Sequence, residues 1–424
     1  MKKVRKYIWL LTVALLTASC SSFDDLKGVE EIAPISVNVA LDFKIDGVTE
    51  FKELKIKFDN YEEDLHYTKD VVGDKVEMND IVPGLYSVNV SGTGVDAEDN
   101  EYFVNGSIQN KGIFNDGTLL DITVKGVKVS PLVFKELYYS NTRDLLGKSY
   151  IFEQFYEIYN NSSSVLHLDG VYFADLYPQV AKANSTATWP AEDGDKYVYG
   201  RTVWKFPGNG TDYPLEPGES CVVSEYAFNH QLEGWNPNSP LDQTSADMEF
   251  YIYHKTFPNN NPAPDMEIIF YNGNKTGSLK QYLTTPFGSG LVIFQVPEDV
   301  IWDPINDPTM YTKNLATTAA TLYAKIPIEY ILDAVECVEN EANIIYKRIP
   351  GVLDAGATWV GGSYNGLGVC RKLSYDDDGN PLQRENGAYI YQDTNNSTDD
   401  FERGLLPMLR RNDAKMPSWN HTLN

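Results

Sequence analysis

"ISVNVALDF", residues Ile35 to Phe43, alternates large apolar side chains with polar or small ones. Ile35, Val37, Val39, Leu41 and Phe43 fall on one face of an extended chain, and Ser36, Asn38, Ala40 and Asp42 on the other. Side chains of a strand point to opposite faces in turn, so this pattern predicts a strand with one buried and one wet face. "LKIKF" repeats the device, with Leu54, Ile56 and Phe58 inward and Lys55 and Lys57 outward. "YSVNVSG" and "LLDITVKGVKV" do so again, with Gly, Asn and Asp between the segments. Four such segments predict an antiparallel β-sandwich over residues 35–130.

Within it, "MNDIVPGLYSVNVSG" (Met78 to Gly92) resembles the signature of transthyretin-like and carboxypeptidase-regulatory-like modules. Pro83 fixes φ, Gly84 takes the turn, and Tyr86 re-enters the sheet facing the core. Further on, "EQFYEIYNNSSSVLHLDGVYFAD" (Glu153 to Asp175) resembles the opening of lamin-tail-like domains, through Glu157, Tyr159, Asn160, Leu168, Gly170 and Phe173. "YPLEPGESCVVSEYAFNH", with Leu215, Pro217 and Gly218 at its turn, and "QDTNNSTDDF" (Gln392 to Phe401) match that family in the same order. The resemblance implies an Ig-like sandwich over 131–424. The expected fold is therefore all-β, two β-sandwich domains. The second carries long insertions at 176–212, 231–265 and 298–322. In "IPIEYILDAVECVEN" the spacing of Ile328, Ile331, Leu332, Val335 and Val338 suits a helix. The family resemblance makes "DAVECV" a strand, and we expect a short helical turn at 327–332 followed by that strand.

The first 19 residues read as a signal peptide. Lys2, Lys3, Arg5 and Lys6 precede an apolar run, Tyr7 to Ala18, which is short for a membrane-spanning helix. "LLTASC" resembles a lipobox, which implies cleavage before Cys20 and lipid attachment to it. Ser21, Ser22, Asp24 and Asp25 resemble the acidic export signal of Bacteroidota surface lipoproteins, or serve as a solvated tether over 20–34. The order of signal, transthyretin-like module and expanded lamin-tail-like module resembles an uncharacterised family of such lipoproteins. Its members tend to be linked with TonB-dependent outer-membrane transport. The resemblance implies a lipid-anchored outer-membrane protein facing the cell exterior, with a TonB-dependent transporter as a candidate partner.

Composition narrows the partners. Removing the leader deletes four positive charges and no negative ones, taking the net charge from −25 to −29. Such a surface repels phosphate backbones, which argues against nucleic acid. After Cys20 only Cys221, Cys337 and Cys370 remain, without a CxxC, which leaves at most one intramolecular disulfide. The 28 tyrosines and 22 prolines suit an extracellular β-rich chain with many turns.

A search for chemistry returns little. Gly147-Lys148-Ser149 has the tail of a phosphate loop, but Thr142 stands where its first glycine belongs. No G-x-S-x-G or HExxH occurs, and the five histidines are scattered. "DDDGN", Asp376 to Asn380, resembles half a calcium loop, yet Gly387 replaces the bidentate Glu; a hairpin turn is the simpler reading. Glu192, Asp193 and Asp195 cluster as a sugar hydrolase's carboxylates would, although acids are frequent throughout. We therefore expect no enzyme, metal or cofactor, and a ligand or partner site on the inserted loops, carried by Trp189, Trp235, Trp302 and His230. Trp204 reads as core. The resulting expectation is a non-enzymatic surface lipoprotein, an accessory or ligand-binding component for nutrient capture. The alternatives are a structural or adhesive surface protein, or a glycan-active hydrolase.

Overall fold

The computed structural model describes residues 32–423 apart from 46, 98–100, 129–131, 259, 376–378 and 385. The leader, Cys20 and the acidic signal of Ser21, Ser22, Asp24 and Asp25 lie outside the described residues, as do Asp376 to Asp378.

The fold is all-β. The first strand follows its period: Ile35, Val37, Val39 and Leu41 are buried while Asn38 and Asp42 are exposed. It is β1 (Ile35–Lys44), followed by β2 (Val48–Asn60), β3 (Leu65–Asp70), β4 (Lys75–Ile81), β5 (Gly84–Asp96), β6 (Glu101–Ile113) and β7 (Thr118–Lys128). These form one seven-stranded sheet in the order β3-β2-β5-β6-β7-β1-β4, with β1 parallel to β7. Apolar residues from β1, β2, β4, β5 and β7 meet in a single core, so the sheet is rolled upon itself. Register shifts at Lys52/Lys55 and Tyr86/Val88 supply the bends. Tyr86 is fully buried and its hydroxyl donates to the Val82 carbonyl at 2.6 Å. The positive φ ahead of that strand falls on Asp80 (60°), not on Gly84.

The rest of the chain is a sandwich of two sheets. β8 (Leu132–Tyr138) lies in a six-stranded sheet with Phe155–Asn160, Ser220–Ser224, Met248–Glu249, Gly368–Arg371 and Phe401–Leu405. Opposite it, an eight-stranded sheet is built around Val171–Leu176, Tyr197–Lys205, Gly290–Gln295 and Ile331–Val338. Phe134, Tyr156 and Cys221 from one sheet pack against Phe173, Trp204, Ile293 and Val335 from the other. A second layer, including Phe294, Trp302, Ile326 and Leu353, covers the far face of the eight-stranded sheet. That double burial is why "GLVIF" is apolar throughout instead of alternating. Ile328–Tyr330 is one 3₁₀ turn leading into the strand Ile331–Val338, as expected from sequence.

One boundary needs correction. Residues 176–212, read as an insertion, contain the strand Tyr197–Lys205, which pairs with Val171–Leu176, Glu267–Tyr271 and Leu322–Pro327. Cys221, Cys337 and Cys370 are all buried and free, so no disulfide exists among the described residues.

The two parts of the chain touch. Tyr61 of the first sheet packs with Val338, Ile344 and Trp359. Lys57 pairs with Asp399 and Lys125 with Asp195.

Candidate functional site

A cleft of about 380 Å³ opens where the start of the long loop after Leu176 faces the segment Ile345–Pro350. The loop carrying Trp189 is pinned from both sides: Thr188 N–H donates to Asn314 Oδ1 at 3.0 Å, and its carbonyl accepts from Leu315 N–H at 2.8 Å. Pinning sets the indole parallel to the Tyr199 ring, with centroids 3.8 Å apart and planes at 12°. Tyr177 and Tyr323 meet the same indole edge-on, both at 76°. The edge-on contacts are an arrangement that aromatic quadrupoles favour. Burial, then the neighbouring Asp193, pushes the Tyr199 phenol up, so it is a neutral hydroxyl at physiological pH. Tyr197 and Tyr346 complete the aromatic lining, and Lys182, Ser185 and Thr186 the polar side.

Arg348 forms the floor. It bonds Glu336 through Nε at 2.7 Å, and Nη1 donates to the carbonyls of Pro178, Gln179 and Gly288 at 3.0–3.3 Å. These bonds tie the two walls together, so the cleft is preformed. Of the clustered acids Glu192, Asp193 and Asp195, weighed above against a hydrolase's carboxylates, Asp193 and Asp195 are engaged in ion pairs. Asp193 pairs with Lys325 and accepts from the Tyr199 hydroxyl. Asp195 pairs with Lys125, whose bond is the main reason its carboxyl lies below the usual range. A general acid for glycoside cleavage needs the opposite shift.

A solved crystal structure, of a DUF4876 family protein from Bacteroides thetaiotaomicron VPI-5482, is similar over 92% of this chain and 100% of that one. The identity is 55% and the TM-score 0.69. The chain belongs to the DUF4876 family. The family model, described as "Protein of unknown function (DUF4876)", matches residues 216–408. In this DUF4876 chain Tyr177, Trp189, Tyr197 and Tyr199 of the cleft precede the matched segment, and Tyr346 and Arg348 lie inside it. No curated protein matches the sequence.

The other residues singled out from sequence do not gather at this cleft. Trp302 is only 9% exposed, packs edge-on against Tyr172 and Phe294, and donates Nε1–H to the Lys325 carbonyl at 3.1 Å. It is a core residue, because strands from distant parts of the chain close over it. Trp235 is 39% exposed and rests on Phe228 and Phe152, in a separate aromatic patch of the DUF4876 sandwich. Gly147-Lys148-Ser149 closes a hairpin between Thr142–Arg143 and Ser149–Tyr150. Tyr375 and Pro381 bridge across the "DDDGN" segment as hairpin ends do. No group of three metal-ligating side chains exists among the described residues. What sequence reasoning missed is Tyr177, Tyr199, Tyr323 and Lys182; the alternating Tyr197 and Tyr199 were the signal available.

His230 is also interior. Its Nδ1 lies 2.8 Å from the Tyr150 hydroxyl and its Nε2 3.0 Å from the Tyr226 carbonyl. A carbonyl only accepts, so Nε2 holds the proton and Nδ1 accepts from Tyr150. Burial pushes this imidazole from 6.5 down to about 4. Between those values an unfolded chain takes up a proton that the folded one refuses, so stability falls as pH drops through that window. The loss by pH 4 is about 3 kcal/mol. Denaturant melts of wild type and His230→Gln should therefore converge by that amount between pH 7 and pH 4. A constant gap would place the histidine in contact with solvent.

Proposed function

We propose that this DUF4876 protein is a non-enzymatic, lipid-anchored surface protein that captures a small ligand in the Trp189 cleft, as an accessory to TonB-dependent nutrient transport. One observation carries the reading: a half-buried indole held rigid by three tyrosines in an open, preformed cleft. A rigid aromatic gives up little entropy when a ligand lands on it, and small-molecule sites commonly combine such surfaces with a few polar groups. Anchoring through Cys20 and outward display through Ser21, Ser22, Asp24 and Asp25 belong to the same proposal.

Cells displaying the chain, offered a tagged pool of sugars, amino acids and aromatic acids, test both halves. Wild-type cells should retain label. Trp189→Ala cells should keep the protein and lose the label, and Cys20→Ala cells should shed the protein. Equal retention by Trp189→Ala would remove the cleft from the function, and a Cys20→Ala chain still bound to the membrane would remove the anchor. A second reading, adhesion to a protein partner, is favoured by the separate aromatic cluster of Trp235 (39% exposed), Phe152 and Phe228. Under it, Trp235→Ala and not Trp189→Ala would abolish attachment.

A further inference from the structure

We propose that the ligand of the Trp189 cleft is an acidic saccharide, a pyranose ring bearing a carboxylate, with its C–H face laid on the indole and its carboxylate at Lys182. This rests on the reading of the cleft as the ligand site.

The ring follows from the platform. Tyr199 covers one side of the indole, and Tyr177 and Tyr323 hold its edges. The lining sets the indole, with Tyr197 and Tyr346, beside the hydroxyl-bearing Ser185 and Thr186. A pyranose has the complementary construction, one C–H face and a rim of hydroxyls. A volume of about 380 Å³ sits near the lower end of the ~300–1,000 Å³ usual for small-molecule sites. It admits one or two rings.

The charge follows from elimination. Arg348 is saturated by Glu336 and by the carbonyls of Pro178, Gln179, Gly288 and Cys337. Lys347 donates to the carbonyls of Ile349 and Asp354. Asp195, the acid of the lining, is paired with Lys125. That leaves Lys182, which is exposed and has no ion-pair partner among the described residues. Its backbone is fixed by the turn in which Ser185 N–H donates to its carbonyl at 2.9 Å. On a chain of net charge −25, an uncompensated ammonium at a cleft favours an anion there and disfavours a cation that the aromatic rings would otherwise suit.

Calorimetric titration of the full chain in detergent with digalacturonate, its methyl ester and a neutral galactobiose tests this. Digalacturonate should bind roughly tenfold tighter than the ester, the equivalent of one charge-assisted hydrogen bond. The advantage should shrink at high salt. Lys182→Met, at an exposed position that leaves folding untouched, should remove the advantage and spare ester binding. Equal binding of acid and ester would overturn the acidic assignment while leaving the cleft as the site. Binding of none of the three, with a non-sugar retained by wild-type cells and lost with Trp189→Ala, would overturn the saccharide alone. No retention of anything through Trp189 would overturn the cleft reading beneath it.

Discussion

Replacing Arg371 by Met should cost about 3–5 kcal/mol of stability, the usual effect of leaving a buried charge without its partner. Arg371 stands in the six-stranded sheet, and its side chain is 2% exposed. Nη2 meets Asp333 of the eight-stranded sheet at 2.7 Å, Nη1 meets Asp393 at 2.9 Å, and Asp400 lies 3.6 Å away. Nε donates to the Phe134 carbonyl at 2.7 Å. One guanidinium thus fastens both sheets and the terminal loop, and a methionine would strand three carboxylates. Burial pushes Asp333 and Asp400 up to about 7, against the pull of Arg371. A raised acid binds its proton more tightly in the folded state, so stability falls as pH rises between the unfolded and folded values. The deficit of Arg371→Met should accordingly be larger at pH 8 than at pH 5. Arg371→Lys should recover only part of it, since an ammonium cannot reproduce the fork. Thermal melts at the two pH values decide the matter. A loss under 1 kcal/mol at pH 8 would show that the cluster adds little.

Gly288→Ala should be nearly as damaging, at about 3 kcal/mol. The residue has φ +90°, and a Cβ there would lie 2.6 Å from the Cys337 carbonyl carbon and 2.7 Å from Val338 N. Both are backbone atoms of the strand Ile331–Val338, which is paired on both sides, and cannot step aside. Positive-φ strain of about 1–3 kcal/mol therefore adds to an overpacking term of similar size. The control is Gly147→Ala, at φ +76° with nothing within 4 Å. There only the conformational cost of about 1 kcal/mol remains. Equal losses at the two glycines would mean that the strand yields.

How much of this could be read beforehand depends on the range over which each feature is encoded. Alternation is local, and it placed the buried face of β1 correctly; the Pro83-Gly84 turn placed Tyr86 inward, and the setting of Trp204 in "TVWKF" marked it as core. The turn and strand from Ile328 to Val338 were legible for the same reason. The strand Tyr197–Lys205 was absorbed into an insertion because its partners begin at Val171 and Leu322, with no local mark of either pairing. Three tryptophan positions show the limit most sharply. Trp189, Trp235 and Trp302 sit in similar polar, proline-bearing loops. Yet Trp302 is covered by Phe294 and Tyr172, Trp189 lines a cleft, and Trp235 faces solvent in a separate patch. By itself the sequence determined an all-β chain of strongly negative charge, because side-chain period and composition need no partner to be read. Only the tertiary structure decided which aromatic rings stay accessible and which lysine is left unpaired. Those properties arise where residues 176–199 meet 345–350, a contact between segments far apart in the chain.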